Sequence, residues 1–512
     1  MNRKEAVLLL FLLLCFTFFV QWSGAEQRSF FGLILALHND HTLRVDNYAD
    51  MTPDKALYNG HYYSDKAPGL SFLGLPVYAV ANAMQNLSRP GLFLPYSIYM
   101  VSAFVVSLPS ALLALLILRF LRRLGISEAH ALAVTLVMAL GTLALPFSTL
   151  FFSHQTAAFF VFAAFYALFT ARSATAAGGR SQPSRLLFIA GLLAGASVLV
   201  EYPLAIMAGL LLFYALTCVK DKRQALYYVL GGLPMALLLM LYNYAAFEHP
   251  LRFSYFYEVN TWAQVHQQGF LGLGAPRLST LVTVLIGARG LFTLSPVLAL
   301  ALYGLWRMTR DKQWRAEGLL FAASFGVYLL MISGYKVPPT DIWTPGPRFL
   351  VPILPFLAAP LAFSLRRWLW LFVPLSATSV AIMLLVTAAN PQVPPEVTNP
   401  LFQYWLPGFL DRSQLVKTLP VLRFGISRGL GVLLLAGAWG MALAFSAAIW
   451  LARRRPRRQS ALLTCFVVAM LVTYFALAFP IDLRRPFDVP ASLTGPKDPS
   501  ASALFGAGGD LS

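Results

Sequence analysis

About thirteen runs of roughly 20 mostly apolar residues divide this chain, and each is long enough to cross the hydrocarbon of a bilayer as a helix. Their approximate bounds are 5–22, 95–119, 129–148, 154–171, 186–201, 203–219, 225–246, 291–307, 317–333, 349–365, 368–388, 429–451 and 460–480. A further apolar stretch, 67–84, is broken by Pro68, Gly69, Gly74 and Pro76 and reads as an interfacial or re-entrant helix. Only 12% of the 512 residues are charged, against about 25% in ordinary soluble domains. This excludes a cytosolic enzyme, a disordered chain and a disulfide scaffold. The expected fold class is an all-α polytopic membrane protein, with short interfacial helices in its first outer loop. Cys15, Cys218 and Cys465 lie far apart in apolar runs, without CxxC spacing, and suggest neither a metal centre nor a redox pair.

The net charge of +18 would suit a nucleic-acid partner if it were clustered on one soluble face. It is spread by topology instead. With the N-terminus in the cytoplasm and the spans alternating, the inner side collects 22 of the 39 basic residues, including the Arg119/Arg122/Arg123 group and the five arginines of 453–458. It collects only five of the 21 acids: Glu5, Glu128, Asp221, Asp311 and Glu317. That asymmetry is the orientation signal of an inner-membrane protein and needs no nucleic acid. The first span reads as retained, because its apolar stretch exceeds that of a secretion signal. The chain then divides into a transmembrane domain, 1–480, and a Pro/Gly/Ser-rich outer tail, 481–512.

The inner connections are short and carry no phosphate-binding glycine loop, so chemistry with ATP or NAD there is not expected. Chain length is invested outside, in loops at about 23–66, 247–290, 334–348 and 389–428. The first outer loop is the most informative. Asp40, Asp46, Asp50, Asp54 and Asp65 fall within 26 positions, interleaved with Tyr48, Tyr58, Tyr62 and Tyr63, and Lys66 closes the run. Carboxylates at a bilayer surface serve as general bases or as oxygen ligands for a divalent cation, although no fixed metal-loop spacing is present here. They equally serve as turn residues in a solvated acidic loop.

The end of this loop, NGHYYSDKAPGLSFLGLPVY, resembles the first-loop motif of the GT-C membrane glycosyltransferases, a superfamily that includes protein O-mannosyltransferases and lipid A aminoarabinose transferases. Asn59-Gly60, Tyr63, Lys66 and Pro68 occupy corresponding positions, with Ala67 where the family has a first proline. The segment WTPGPRFLVPILPFL, 343–357, resembles the family's Arg-Phe/Tyr-Leu-x-Pro lead-in to a late helix. There is one departure. The family opens the loop with Asp-Glu and then Arg-Tyr, whereas this chain has Ala25-Glu26-Gln27-Arg28-Ser29. Either Glu26 carries the acidic role alone or the role has moved to Asp46 or Asp54.

The resemblance implies a GT-C-like fold and inverting transfer of a sugar from a polyprenyl-phosphate-linked donor to an acceptor hydroxyl at the extracytoplasmic face. The acceptor is a glycan, a lipid or a protein, and membrane lipids surround the chain. Such a displacement needs a carboxylate to take the acceptor's proton and cations to neutralise the departing phosphate. The base candidates are Asp46, Asp54 and Glu26. The phosphate-binding candidates are Lys66, Arg348 and Arg289, with Tyr63, His154, Glu201 and Tyr202 as substrate-binding residues. Asp65 is expected to pair with a nearby cation, and Trp262, Trp343 and Trp405 to anchor at the interface. Two other classes compete. A transporter or flippase would place ionisable residues near the bilayer midplane, and a scaffold would tolerate loss of the loop acids.

Overall fold

In a computed structural model, the protein is described at residues 1–21, 24–88, 94–176, 183–259, 263, 272–335, 343–410 and 415–418. The expected spans 429–451 and 460–480, the 453–458 arginines, Cys465, Trp262 and the tail lie outside the described residues, as do parts of the last three outer loops.

The described chain is overwhelmingly helical. Seven helices are long and apolar enough to cross a membrane: Ser97–Arg123, Ser153–Thr175, Pro183–Val200, Lys222–Phe247, Arg315–Gly334, Arg348–Leu365 and Arg367–Ala388. Shorter apolar helices, Glu128–Leu140 and Ala205–Thr217, occupy two further expected spans. The first expected span, 5–22, is helical over Arg3–Thr17, opened by a reciprocal cap between Asn2 and Glu5. It then turns extended, and Phe19–Val20 pairs with Lys417–Thr418.

One expected span needs correction, and another is met with a different helix type at its start. The run 291–307 is not one straight helix. Ser295 breaks it, and the pair Leu278–Leu294 and Pro296–Arg310 bends by 106°. Pro296 has no N–H to offer the preceding turn, which forces the break. The span that starts near 349 opens as a 3-10 helix, Arg348–Leu357, because Pro352 and Pro355 remove donors from its first turns. It continues as the α-helix Ala358–Ala388, and Trp368 (φ −116°, ψ 30°) marks the joint between the expected spans 349–365 and 368–388.

The interior is aromatic. Phe120, Phe162, Phe165, Phe321 and Phe356 meet edge to face or tilted, with centroids 5.1–6.1 Å apart. Such pairs favour particular geometries and so fix helix rotation as well as burying area. The helix Ser153–Ala176 has His154 at one end and Arg172 at the other. Eighteen residues of helical rise separate them by about 27 Å, close to the thickness of a bilayer's hydrocarbon core. Among the described residues, each end adjoins a charged region.

The first outer loop folds into named pieces. Ala25–Leu35 is an α-helix extended by a π turn, Ala36–Asp40. A 3-10 segment follows at Asp46–Met51. Ala56–Tyr58 and His61–Tyr63 form a two-stranded hairpin whose two-residue turn is Asn59-Gly60. Both turn residues have positive φ, 49° and 79°. Asn-Gly is the dipeptide that tolerates this best, so the turn chemistry sets the hairpin register. Gly69–Ser88, the expected interfacial segment, is a helix despite Pro76.

Candidate active site

Three elements bring the charged residues of the first loop together. Ser71 Oγ donates to Phe30 O at 2.8 Å, tying the 69–88 helix to the 25–35 helix. Thr52 Oγ1 donates to Ala25 O at 2.8 Å and accepts from the Asp54 N–H, which fixes the Thr52-Pro53-Asp54 turn beside Glu26. Gly69 lies against the backbone of the 183–200 helix. A Cβ there would fall 2.6 Å from Leu199 O, so only glycine allows this approach without a shift. That contact holds Lys66 near the helix end that is followed by Glu201.

The result is a buried charged cluster drawn from sequence positions more than 300 residues apart. Lys66 Nζ lies 3.1 Å from Asp54 Oδ2 and 2.8 Å from Asp65 Oδ2. Asp65 is fully buried and also accepts from Ser29 Oγ at 2.8 Å. Arg348 donates to Glu26 at 2.5 Å. His154 stands between two carboxylates. Its Nδ1 is 3.0 Å from Glu201, and its Nε2 is 4.0 Å from Glu26. Phe147, Phe152 and Phe349 ring the imidazole. Ser153 Oγ donates to Glu201.

Burial and neighbouring charge move several of these groups. Burial raises the Asp65 carboxyl, Lys66 pulls it back, and Asp54 and Glu258 add to the rise, leaving it at about 7. Burial works against the Lys66 ammonium, but Asp54, Asp65 and Glu26 outweigh it and hold Lys66 well above the ordinary lysine range. Burial also opposes ionisation of Glu201, yet His154, Ser153 and Arg348 keep its carboxyl below the usual range.

The expected site residues therefore separate into two groups. Glu26, Asp54, Lys66, His154, Glu201 and Arg348 converge, and Asp65 pairs with Lys66 as expected. Tyr202 packs beside them, edge to face with Phe253 and Tyr255. The other three stand apart. Asp46, at the start of the 3-10 segment, is half exposed and reaches the hairpin, accepting from the Tyr62 N–H at 2.6 Å and lying 2.9 Å from His61 Nδ1. Its position in the loop fits a register clamp. Arg289 donates to Pro394 O at 2.7 Å and Val397 O at 2.8 Å, and so ties two outer loops together. Tyr63 is buried against Phe247. Among the tryptophans, Trp405 is buried and donates to Asn390 O instead of lying at an interface, whereas Trp343 is exposed.

Ser29, Arg28, Tyr255 and Glu258 belong to the cluster's surroundings and were not singled out by the sequence. Arg28 interacts with Asp54, and Tyr255 with Lys66 and Glu201. Tyr255 and Glu258 lie in the aromatic run 253–258, which carries no motif. Among the described residues, no group of three or more His, Cys, Asp or Glu is arranged to hold a metal ion. The loop acids turn to Lys66 and to the hairpin instead. A cavity is lined by Phe16, Ser110, Met138, Gln155, Val351 and Leu354 among others.

No family model matches the chain, and no curated protein matches it. Two solved structures are similar in outline. One is ArnT from Cupriavidus metallidurans in the apo state, with a TM-score of 0.46 and 13% identity over 93% of this chain and 75% of that one. The other is ArnT from Cupriavidus metallidurans bound to undecaprenyl phosphate, with the same TM-score and identity over 96% and 77%.

Proposed function

We propose that this protein is an integral membrane glycosyltransferase of the GT-C kind. It transfers a sugar from a polyprenyl-phosphate-linked donor to an acceptor hydroxyl, with inversion, at the extracytoplasmic face of the inner membrane. One observation supports this above the others. Lys66 from the first-loop motif pairs with Asp54 and lies within electrostatic reach of Glu26, and Glu26 holds Arg348 from the late WTPGPRFLVP segment. The two segments that resemble the family thus form one cluster, built of the group types the reaction requires.

Asp54 is the base in this reading. Its side chain is 16% exposed, more than Glu26 at 8% or Asp65 at none, so an acceptor reaches it first. Lys66 and Arg348 take the charge that develops on the departing phosphate, Arg348 through two parallel donors. Glu26 orients Arg348. His154 and Glu201 form the buried wall behind it. Asp46 and Arg289 hold the surrounding loops in register. A single displacement needs one base only, unlike the paired carboxylates of a hydrolase.

A transporter would place its ionisable groups near the bilayer midplane. The charged clusters described here sit at helix ends. The test is sugar transfer from a radiolabelled polyprenyl-phosphate sugar by the purified protein in nanodiscs, together with mass spectrometry of envelope glycolipids from a deletion strain. Transfer that is lost in Asp54→Asn supports the reading. An unchanged glycan and glycolipid profile in the deletion strain, with no transfer in vitro, would sink it.

A further inference from the structure

The two cations offered for the phosphate are already engaged by acids. Lys66 serves Asp54 and Asp65, and Arg348 serves Glu26. Glu201 and Glu258 add further carboxylates, against Arg28 beside Asp54. An anionic phosphate that enters here meets more acid than base. It can draw on Lys66 only if one carboxylate gives the ammonium up. Two carboxylates that share one buried cation cannot both stay ionised cheaply once a third anion arrives.

Asp65 is the carboxylate built to yield. It is fully buried, while Asp54 reaches solvent. Lys66 and Asp54 face it, as does Glu258, and the phenols of Tyr202 and Tyr242 lie within electrostatic reach. Its other oxygen meets Ser29 Oγ, which lies 3.0 Å from Ser64 Oγ. A hydroxyl both donates and accepts, so a protonated Asp65 keeps this bond by reversing it. Its carboxyl is also raised to about 7, where uptake is easy near neutral pH.

We propose that Asp65 is a positioning residue that holds Lys66 until the donor arrives and then releases it by taking one proton from solvent. The ion pair between Lys66 and Asp65 is exchanged for one between Lys66 and the phosphate, and the proton moves onto an Asp65 oxygen. This rests on the transferase reading above and adds that donor binding is proton-linked. By linkage, affinity falls as pH rises above about 7, by up to roughly tenfold per pH unit.

The test is calorimetric titration of the full-length protein in nanodiscs with a prenyl methyl phosphodiester. This probe has no proton of its own to exchange near neutrality. Runs at pH 8 in two buffers of different ionisation enthalpy give the protons taken up. The expected result is an uptake approaching about one at pH 8 and close to zero at pH 6. Asp65→Asn should abolish the uptake, flatten the pH dependence, and bind the probe at pH 8 as tightly as wild type or more tightly. A merely structural aspartate would give weaker binding at every pH. Wild-type binding without proton uptake overturns the proposal even if the variant does not fold. Uptake that persists in Asp65→Asn overturns it too, because another group then takes the proton. If the wild type binds no phosphodiester at any pH, the lipid-phosphate reading falls, and the proposal falls with it.

Discussion

Two charged regions among the described residues lie at opposite ends of the helix Ser153–Ala176, yet they are wired differently. At the Arg172 end, acids and bases are matched across helix termini. Glu5 accepts from Arg119 at 2.8 Å and from Arg122 at 2.9 Å, and Arg122 also holds Glu128. Fully buried Glu317 accepts from Arg172 and from the Tyr214 hydroxyl, tying three helices together. Each of these acids is held by a guanidinium, directed by its planar fork. At the His154 end, one lysine serves two carboxylates and one histidine stands between two more. A matched network holds helices in place, whereas a shared one has charge to redistribute when a ligand enters. The first is a staple in our account and the second is the site.

The sharpest way to break this comparison is to remove cations at each end. Lys66→Met or Arg348→Met should lower the transfer rate by about 10²–10³-fold while the protein still inserts and purifies, the loss typical of a missing transition-state donor. Asp54→Asn should cost a similar or slightly smaller factor, on the order of 10²-fold, through loss of the base. Glu317→Gln, at the other end, should cost about 1–3 kcal/mol of stability by replacing a charged acceptor with a neutral one beside Arg172 and Tyr214. A thermal melt in detergent should show that loss, with the rate per folded molecule within about threefold of wild type.

Much of the fold could be read in advance because bilayer thickness imposes a length on every span. Where reading failed, the cause was backbone chemistry. Pro296 bent one expected span, and Pro352 with Pro355 turned the start of another into a 3-10 helix. Asn59-Gly60 was noticed as part of a motif, although it also announces a hairpin turn. Of the residues singled out next to an apolar edge, Lys66, His154, Glu201 and Arg348 converge in the proposed site. Asp46 looked equivalent to Asp54 in sequence, since both are acids in a polar loop. Only the hairpin pairing reveals that Asp46 faces the Tyr62 N–H. Ser29 and Tyr255 were missed because neutral side chains in loops and short helices announce nothing by charge or period.

Smaller effects sharpen the same contrast. Gly69→Val should push the 69–88 helix off the Leu199 carbonyl and displace Lys66. A shift of about 1 Å there is worth up to roughly 10²-fold in rate, so we expect a loss on the order of tenfold with little change in helix content by circular dichroism. Asp46→Asn should change the rate by less than about threefold, because it loosens a half-exposed hairpin contact only.

The most direct measurement places both ends in one assay: initial rates of sugar transfer from a polyprenyl-phosphate-linked donor, in nanodiscs, for wild type, Lys66→Met, Arg348→Met and Glu317→Gln, each normalised to folded protein. The account predicts losses of about 10²-fold or more for the first two variants and near-wild-type turnover for the third. Comparable losses at both ends, or full activity in Lys66→Met and Arg348→Met, would contradict it.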